Sequence, residues 1–563
     1  MAMYRMQSTH AAQLNRRRPG STQVLIGIVV ALALVAAACG SSSKSGRATA
    51  ATESGLAADG GTPVDGGSLV IGISAETNGW NPALAQWADT GSLVGSSVLE
   101  PLATTGEDSS ATPWLADSWI ANEAFTQWRL NLHPGVKFQD GTDFDAAAVK
   151  KNIDYYKTGT LSGIALSPIL GDITVIDPLT VMVGLKQPWA AFPSSFLDAG
   201  SSFMMAPSMI DSPDHGAGHP VGTGPYVFSS WTPDSSFKAT KNPTYWKAGL
   251  PHLDSIEFKV IPDETTRANA LKTGDVNMIY TTNANTANNI GSDFQVVKDW
   301  TTEQAFVMTN SSPVVNGKPN PLSNIHARQA LAYATDPSAI ASSIGAGVEV
   351  PTSMWSPPSV WSMAKDQNGA LTTSLDKAKQ EVDAYKADTG ATSLDITLSG
   401  LPTIDDTKVL QLLDAQWKPL GINVQIDSLE QTAYITKIAL GNYQAAFFRN
   451  YGYADPDSNY YFFSSSTAKG AGQISINFTE YTTPQMDEAL ATGRTSGYPN
   501  IRKQAYDDLV KQVNASATNI WLYSTPYSFV ADQQVHGLAQ AEKIPFGNYM
   551  PKTWLGNLWR AKA

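Results

Sequence analysis

Apolar and polar positions alternate with two different periods along this chain, and the switches between them predict a mixture of strands and helices. Leu69-Val70-Ile71-Gly72-Ile73 is a β-rich run that ends near Trp80-Asn81-Pro82. Trp128-Arg129-Leu130-Asn131-Leu132 alternates as a half-buried strand should, His133-Pro134-Gly135 turns it, and Val136-Lys137-Phe138 is read as its resumption. Ile256, Phe258 and Val260 repeat the two-residue period. Helical spacing takes over after Asp145, an N-cap candidate that precedes Ala146, Val149, Ile153 and Tyr156 on one face. A second helix is expected over 265–273 with Gly274 as its C-cap, and further helices over 327–334, 374–386, 405–418 and 502–513. Strands and helices mixed throughout indicate α/β or α+β, not a sandwich or a bundle.

The N-terminus follows neither period. Arg16, Arg17 and Arg18 precede an unbroken apolar run over 24–38, shorter than the roughly 20 residues a spanning helix needs. The run ends in Ala36-Ala37-Ala38-Cys39-Gly40, and Cys39 is the only cysteine. Small residues before a Cys that closes such a run resemble a bacterial lipoprotein processing site, although Ala36 stands where Leu is usual. The alternative is an uncleaved anchor, and both readings put the body of the protein outside the cytoplasm. Residues 40 to about 66 are mostly Gly, Ser, Ala and Thr and read as a flexible tether.

Composition narrows the function by exclusion. The 563 residues carry a formal charge of −12 with no basic cluster in the body, which argues against nucleic acid. The glycines between 216 and 224 have the wrong spacing for a phosphate loop, and Pro220 removes an amide donor. His215 and His219 flank glycines ahead of a proline, so they read as loop and not as a helical metal pair. Gly91-Ser92-Leu93-Val94-Gly95 has the wrong order for a nucleophile elbow, and no other motif pairs a nucleophile with a base. The expectation is a binding protein and not an enzyme, without cofactor or bound metal.

Residues 219–246, HPVGTGPYVFSSWTPDSSFKATKNPTYW, carry two Pro-containing turns and aromatics at strand spacing. Gly222, Gly224 and Pro225 read as a sharp turn that exploits positive φ at glycine. The stretch resembles the core segment of bacterial extracellular solute-binding proteins of family 5, the peptide/nickel class. WRLNLHPGVKFQDGTDFDAAAV (128–149), IEFKVIPDETTRANALKTGDVNM (256–278), ARQALAYATDPSAI (327–340) and YTTPQMD (481–487) resemble further segments of that family, in order. The resemblance spans about 66–535. It implies an α/β, two-lobed, periplasmic-binding-protein-like fold of the large type II class, with a hinge and an extra sub-domain. Lobe I would comprise 66–100, 218–305 and 527–563, the inserted sub-domain 101–217 and lobe II 306–526, after a signal peptide at 1–38 and a tether at 39–65. The crossings would fall near 306–310 and 522–526. The implied protein is a lipid-anchored monomer on the outer face of a bacterial cell membrane, fixed through Cys39, that hands a solute to an ABC permease and its ATPase.

Residues 447–463, FFRNYGYADPDSNYYFF, are where the resemblance places the ligand. Aromatic faces there would stack on a solute while a few charges orient it. Peptide-binding relatives commonly carry an aspartate three positions before the Asp-Pro pair, where it meets the ligand's α-ammonium. Here Gly452 stands at that position, so the anchor is missing unless Asp455 takes the role. The plainer reading is that Asp455 and Asp457 cap a turn. Loops at strand ends carry binding residues disproportionately, so Trp80, Trp87 and Trp355 are candidate cleft walls, with core or inter-loop packing as the alternative. The resemblance implies further ligand contacts at Arg449, Tyr451, Gly452, Tyr453 and Asp455, with Tyr451, Tyr453 and Asp455 closing on the Trp80 and Trp87 side. A peptide-like or other small organic solute is expected. A saccharide, aromatic acid, haem or metal chelate remain open, as do a surface sensor and, less so, a secreted hydrolase.

Overall fold

The β-rich run over 69–73 becomes the strand Ser68–Ile73, which buries Leu69, Ile71 and Ile73 on one face of a sheet and turns Val70 to the other. It lies parallel to Ser255–Val260 and Met278–Thr281 at the middle of seven strands, between outer strands that include Tyr226–Thr232 and Phe294–Asp299. The computed structural model describes residues 62–538, apart from 86, 88, 107–109, 198–201, 301–302, 358, 453 and 471, and also 554–561. Cys39, the apolar run before it and most of the expected tether therefore lie outside the described residues. Among the described residues no helix is long and apolar enough to cross a membrane.

A second sheet has the order Ile422–Ser428, Leu394–Gly400, Ala445–Tyr451, Glu303–Thr309, Asn519–Ser524. Both its faces are covered. Ala305, Val307, Ala445 and Phe447 pack under the helices Ile325–Ala334, Leu375–Thr389 and Ile404–Trp417. Phe306, Met308, Ala446 and Trp521 face Pro484–Thr495 and Pro499–Ser516. All seven residues of Glu303–Thr309 are buried, as a central strand between two helical layers requires. A third, antiparallel sheet is formed by Ala116–Ala121, Gln127–Leu132, Thr180–Leu185 and Leu170–Asp177. Its core runs on into that of the seven-stranded sheet.

The chain leaves the first sheet after Asp299, joins the second at Glu303, and returns through Thr525 and Pro526 between Ser524 and Tyr527. The first crossing thus lies a few residues ahead of 306–310. Ladder hydrogen bonds extend the strand back to the Glu303/Tyr451 pair, ahead of the boundary that the resemblance implied.

The helices form close to where the periodicity places them. Asp145 accepts from Ala148 N at 2.9 Å and starts Ala146–Tyr156. Asp263 starts Glu264–Thr273, and Gly274 closes it at φ 82°. Val136-Lys137-Phe138 does not resume a strand: Gly135, at φ 77°, turns the chain into a loop whose only bridge is Lys137 to Asp143.

In the 219–246 stretch the glycines differ from expectation. Neither Gly222 nor Gly224 has positive φ. They are glycine because a Cβ would lie 2.2 and 2.6 Å from the Val98 carbonyl oxygen. That approach lets Gly224 N and Tyr226 N donate to Val98 O and Ser97 O at 2.8 and 2.9 Å. Beside it, the buried Glu100 carboxylate accepts from Trp114 Nε1 (3.0 Å), Thr223 Oγ1 (2.8 Å), Tyr245 Oη (2.6 Å) and Trp246 Nε1 (2.9 Å). The stretch therefore folds around one acidic group.

Candidate ligand-binding cleft

Strand periodicity brings Glu303 and Arg449 together. Glu303 pairs with Tyr451 and Ala305 with Arg449, so the two charged residues are diagonal neighbours on the face that carries Ala305, Val307 and Phe447. They stand at the end of that face, where the chain crosses from one sheet to the other. Tyr523, opposite Ala305, adds a phenol. Asp406, in the first turn of Ile404–Trp417, is held by its Thr403 cap, which donates to Oδ1 at 2.9 Å. Asp89 approaches from the first-sheet side, its carboxylate accepting from Tyr280 Oη.

The electrostatics centre on Arg449. Burial opposes its charge, but Glu303, Tyr527, Asp406 and Asp89 outweigh that and hold the guanidinium protonated. Its side chain keeps 34% of its surface accessible, although these groups come from both sheets. Glu303 Oε2 is its nearest carboxylate oxygen, at 3.7 Å, which is beyond hydrogen-bond reach. Other buried arginines are tied down. Arg267 donates to Tyr280 O and Ile261 O, and Arg328 to Ser516 O and Leu322 O.

Glu303 is buried, and its Oε2 has no hydrogen-bond partner. Burial raises its pKa, Arg449 lowers it, Asp89 raises it again, and the neighbouring Thr525 and Tyr527 draw it down. Asp406 is likewise raised by burial and lowered by Arg449.

The other sequence-selected residues are dispersed. Trp80 is interior, with edge-on contacts to Trp231 and Phe237 at 5.5 and 4.6 Å. Trp87 donates to Gly79 O at 2.9 Å and lies on the face that Gly91 and Gly95 leave bare; a Cβ on Gly95 would come within 2.3 Å of its ring. Trp355 packs beside Tyr506 and bounds a small apolar cavity with Met354, Phe463, Leu509 and Trp521. Trp80 and Trp355 are interior, as the core-packing alternative has it, whereas Trp87 is only half-buried. Tyr451 belongs to the strand Ala445–Tyr451, and Tyr453 lies outside the described residues.

Asp455 and Asp457 make a joint between sub-structures. Asp455 caps the short helix Pro456–Asn459 and also accepts from Arg502 Nη2 (2.5 Å) and Ser194 Oγ (2.9 Å). Asp457, fully buried, accepts from Trp189 Nε1 (2.6 Å) and Arg494 Nε (2.8 Å). Asp455 is thus engaged by protein donors and does not stand free to replace the missing anchor. Gly452 cannot carry that anchor either: its Cβ would lie 2.0 Å from Met354 O. Glu303 was not selected from the sequence. The signal available was an acidic residue at the polar start of a strand whose middle, residues 305–308, is apolar.

The arrangement is that of a two-lobed periplasmic binding protein, with charged side chains of both lobes meeting at the crossing. The family model for bacterial extracellular solute-binding proteins, family 5 (middle), matches residues 110–471, and the chain belongs to that family. It is 32% identical over 274 residues to the glutathione-binding protein GsiB of Salmonella paratyphi A, covering 47% of this chain and 52% of the relative. That match spans about half the relative's length. GsiB of Pectobacterium atrosepticum is 27% identical over 462 residues, covering 78% of this chain and 83% of the relative. Among solved structures, AgaA of A. tumefaciens R10 in complex with agropinic acid superposes with a TM-score of 0.77 at 22% identity, covering 88% of this chain and 99% of that one. DppA of Helicobacter pylori with the peptide STSA gives 0.76 at 21% identity, covering 89% and 99%. Family 5 proteins are extracytoplasmic binding proteins.

Proposed function

We propose that this chain is the solute-binding component of an ABC importer, taking up a peptide-like or other small organic solute between its two lobes. The observation that carries this reading is Arg449: accessible, without a hydrogen bond among the described residues, and surrounded by charged groups from both lobes. Relatives described as binding glutathione, agropinic acid or a peptide favour a small polar organic solute over a saccharide. Among the described residues no group of His, Cys, Asp and Glu side chains suits a metal ion. The reading includes cleavage before Cys39 and its lipidation, a monomeric state, and lobes divided at the crossings near Asp299–Glu303 and Thr525–Pro526.

Solute would be captured on an open form, and its greater affinity for the closed form would set the extent of closure. No bond is made or broken. Native mass spectrometry of the purified protein tests this directly. A co-purifying small molecule, recovered chemically unchanged, together with a smaller radius of gyration on saturation, is expected. Conversion of that molecule, or an unchanged radius at saturation, would overturn the reading. Loss of solute uptake on gene deletion separates transport from sensing.

A further inference from the structure

We infer that the cleft recognises an α-amino-acid head, with Glu303 pairing its ammonium and Arg449 its carboxylate; this rests on the solute-binding reading above. A buried carboxylate oxygen with no donor carries an uncompensated desolvation cost. Glu303 Oε2 is such an atom, and its nearest cation stops at 3.7 Å. Among the described residues the Arg449 guanidinium in turn has no hydrogen bond, although carboxylates surround it. Glu303 Oε2 and the Arg449 guanidinium are adjacent and of opposite sign. A solute bearing ammonium and carboxylate on one carbon offers each of them a charge-assisted hydrogen bond without separating them.

Chain geometry explains why the anchor stands on this strand. At Gly452 the Met354 carbonyl occupies the space a side chain needs. Glu303 is the ladder partner of Tyr451, the residue before Gly452, so the acidic group sits one strand over at nearly the same height along the sheet. The balance of charge favours the ammonium as well. Asp89 and Asp406 also act on Arg449, so the site holds more negative than positive groups. A solute with only a carboxylate would meet repulsion there. Asp455, the alternative on the neighbouring loop, is already engaged by Arg502 and Ser194.

The test uses the full folded chain and calorimetric titration with five probes: glutathione, γ-glutamylglycine, N-acetylglutathione, alanyl-alanine and sucrose. The first two carry ammonium and carboxylate on one carbon; the third has the ammonium blocked, the fourth has the charges on separate residues, and the fifth has neither. Binding of the first two, lost on N-acetylation, is expected. Glu303→Gln and Arg449→Gln should each weaken that binding about 10- to 100-fold, the worth of one hydrogen bond to a charged group. Arg449→Lys, which keeps the charge but not the fork, should weaken it less. Circular dichroism melting verifies that the variants fold, and Glu303→Gln is nearly isosteric. Tight binding of alanyl-alanine or sucrose with none of the head-bearing probes would overturn the inference while leaving the solute-binding reading intact. Equal affinity of folded Glu303→Gln would overturn the role of Glu303. Silence from all five, with nothing co-purifying, would overturn both.

Discussion

Two buried glutamates, Glu100 and Glu303, divide the work of this molecule between them. Glu100 accepts from two tryptophans, a threonine and a tyrosine, all drawn from the chain that wraps it. Burial raises its pKa and these four donors pull it back. Glu303 is also buried, yet one oxygen has no donor and the nearby arginine remains out of reach. A buried carboxylate that is fully satisfied by its own fold is framework. One left half-satisfied where two lobes meet has an interaction still to make.

The contrast can be broken experimentally. Glu100→Ala should cost the most, about 3–5 kcal/mol, because it leaves four buried donors without an acceptor; denaturant midpoints measure this, and solute preference should not change. Gly452→Asp should cost about 1–3 kcal/mol, since the new side chain displaces the Met354 carbonyl and overpacks the loop. It should not gain affinity for simple peptides, and a stable variant that does would show that the anchor can return to that loop. Glu303→Gln should change stability by less than about 1 kcal/mol, because it removes a buried charge whose desolvation is not fully repaid. A loss as large as that of Glu100→Ala would erase the distinction between the two sites.

The smallest effect is the dependence on pH. Burial raises Glu303 in the folded protein, so between the ordinary glutamate pKa and the raised one the folded state holds more proton than the unfolded. Stability of the unliganded protein should therefore fall as pH rises through that window. A bound ammonium favours the charged form, so solute binding should release a proton there, and affinity should weaken as pH falls through it. Calorimetry in two buffers of different ionisation enthalpy measures the released proton; uptake in place of release would exclude an ammonium partner for Glu303.

Sequence alone determined the type of many local elements. Asp145 and Gly274 cap the helices they were expected to cap, because capping is local hydrogen bonding and local backbone conformation. The β-rich run over 69–73 forms the expected strand, and strand period, a property of the chain, puts Leu69, Ile71 and Ile73 on one face. The sequence also singled out Arg449 and the absence of a carboxylate at Gly452. It did not reveal Glu303, which joins Arg449 only because an antiparallel ladder pairs residues about 150 positions apart. Nor did it reveal that Asp455 is already partnered, since Ser194 and Arg502 reach it from distant parts of the chain. Tertiary structure decided which polar groups are satisfied, because satisfaction depends on partners brought together only by the fold.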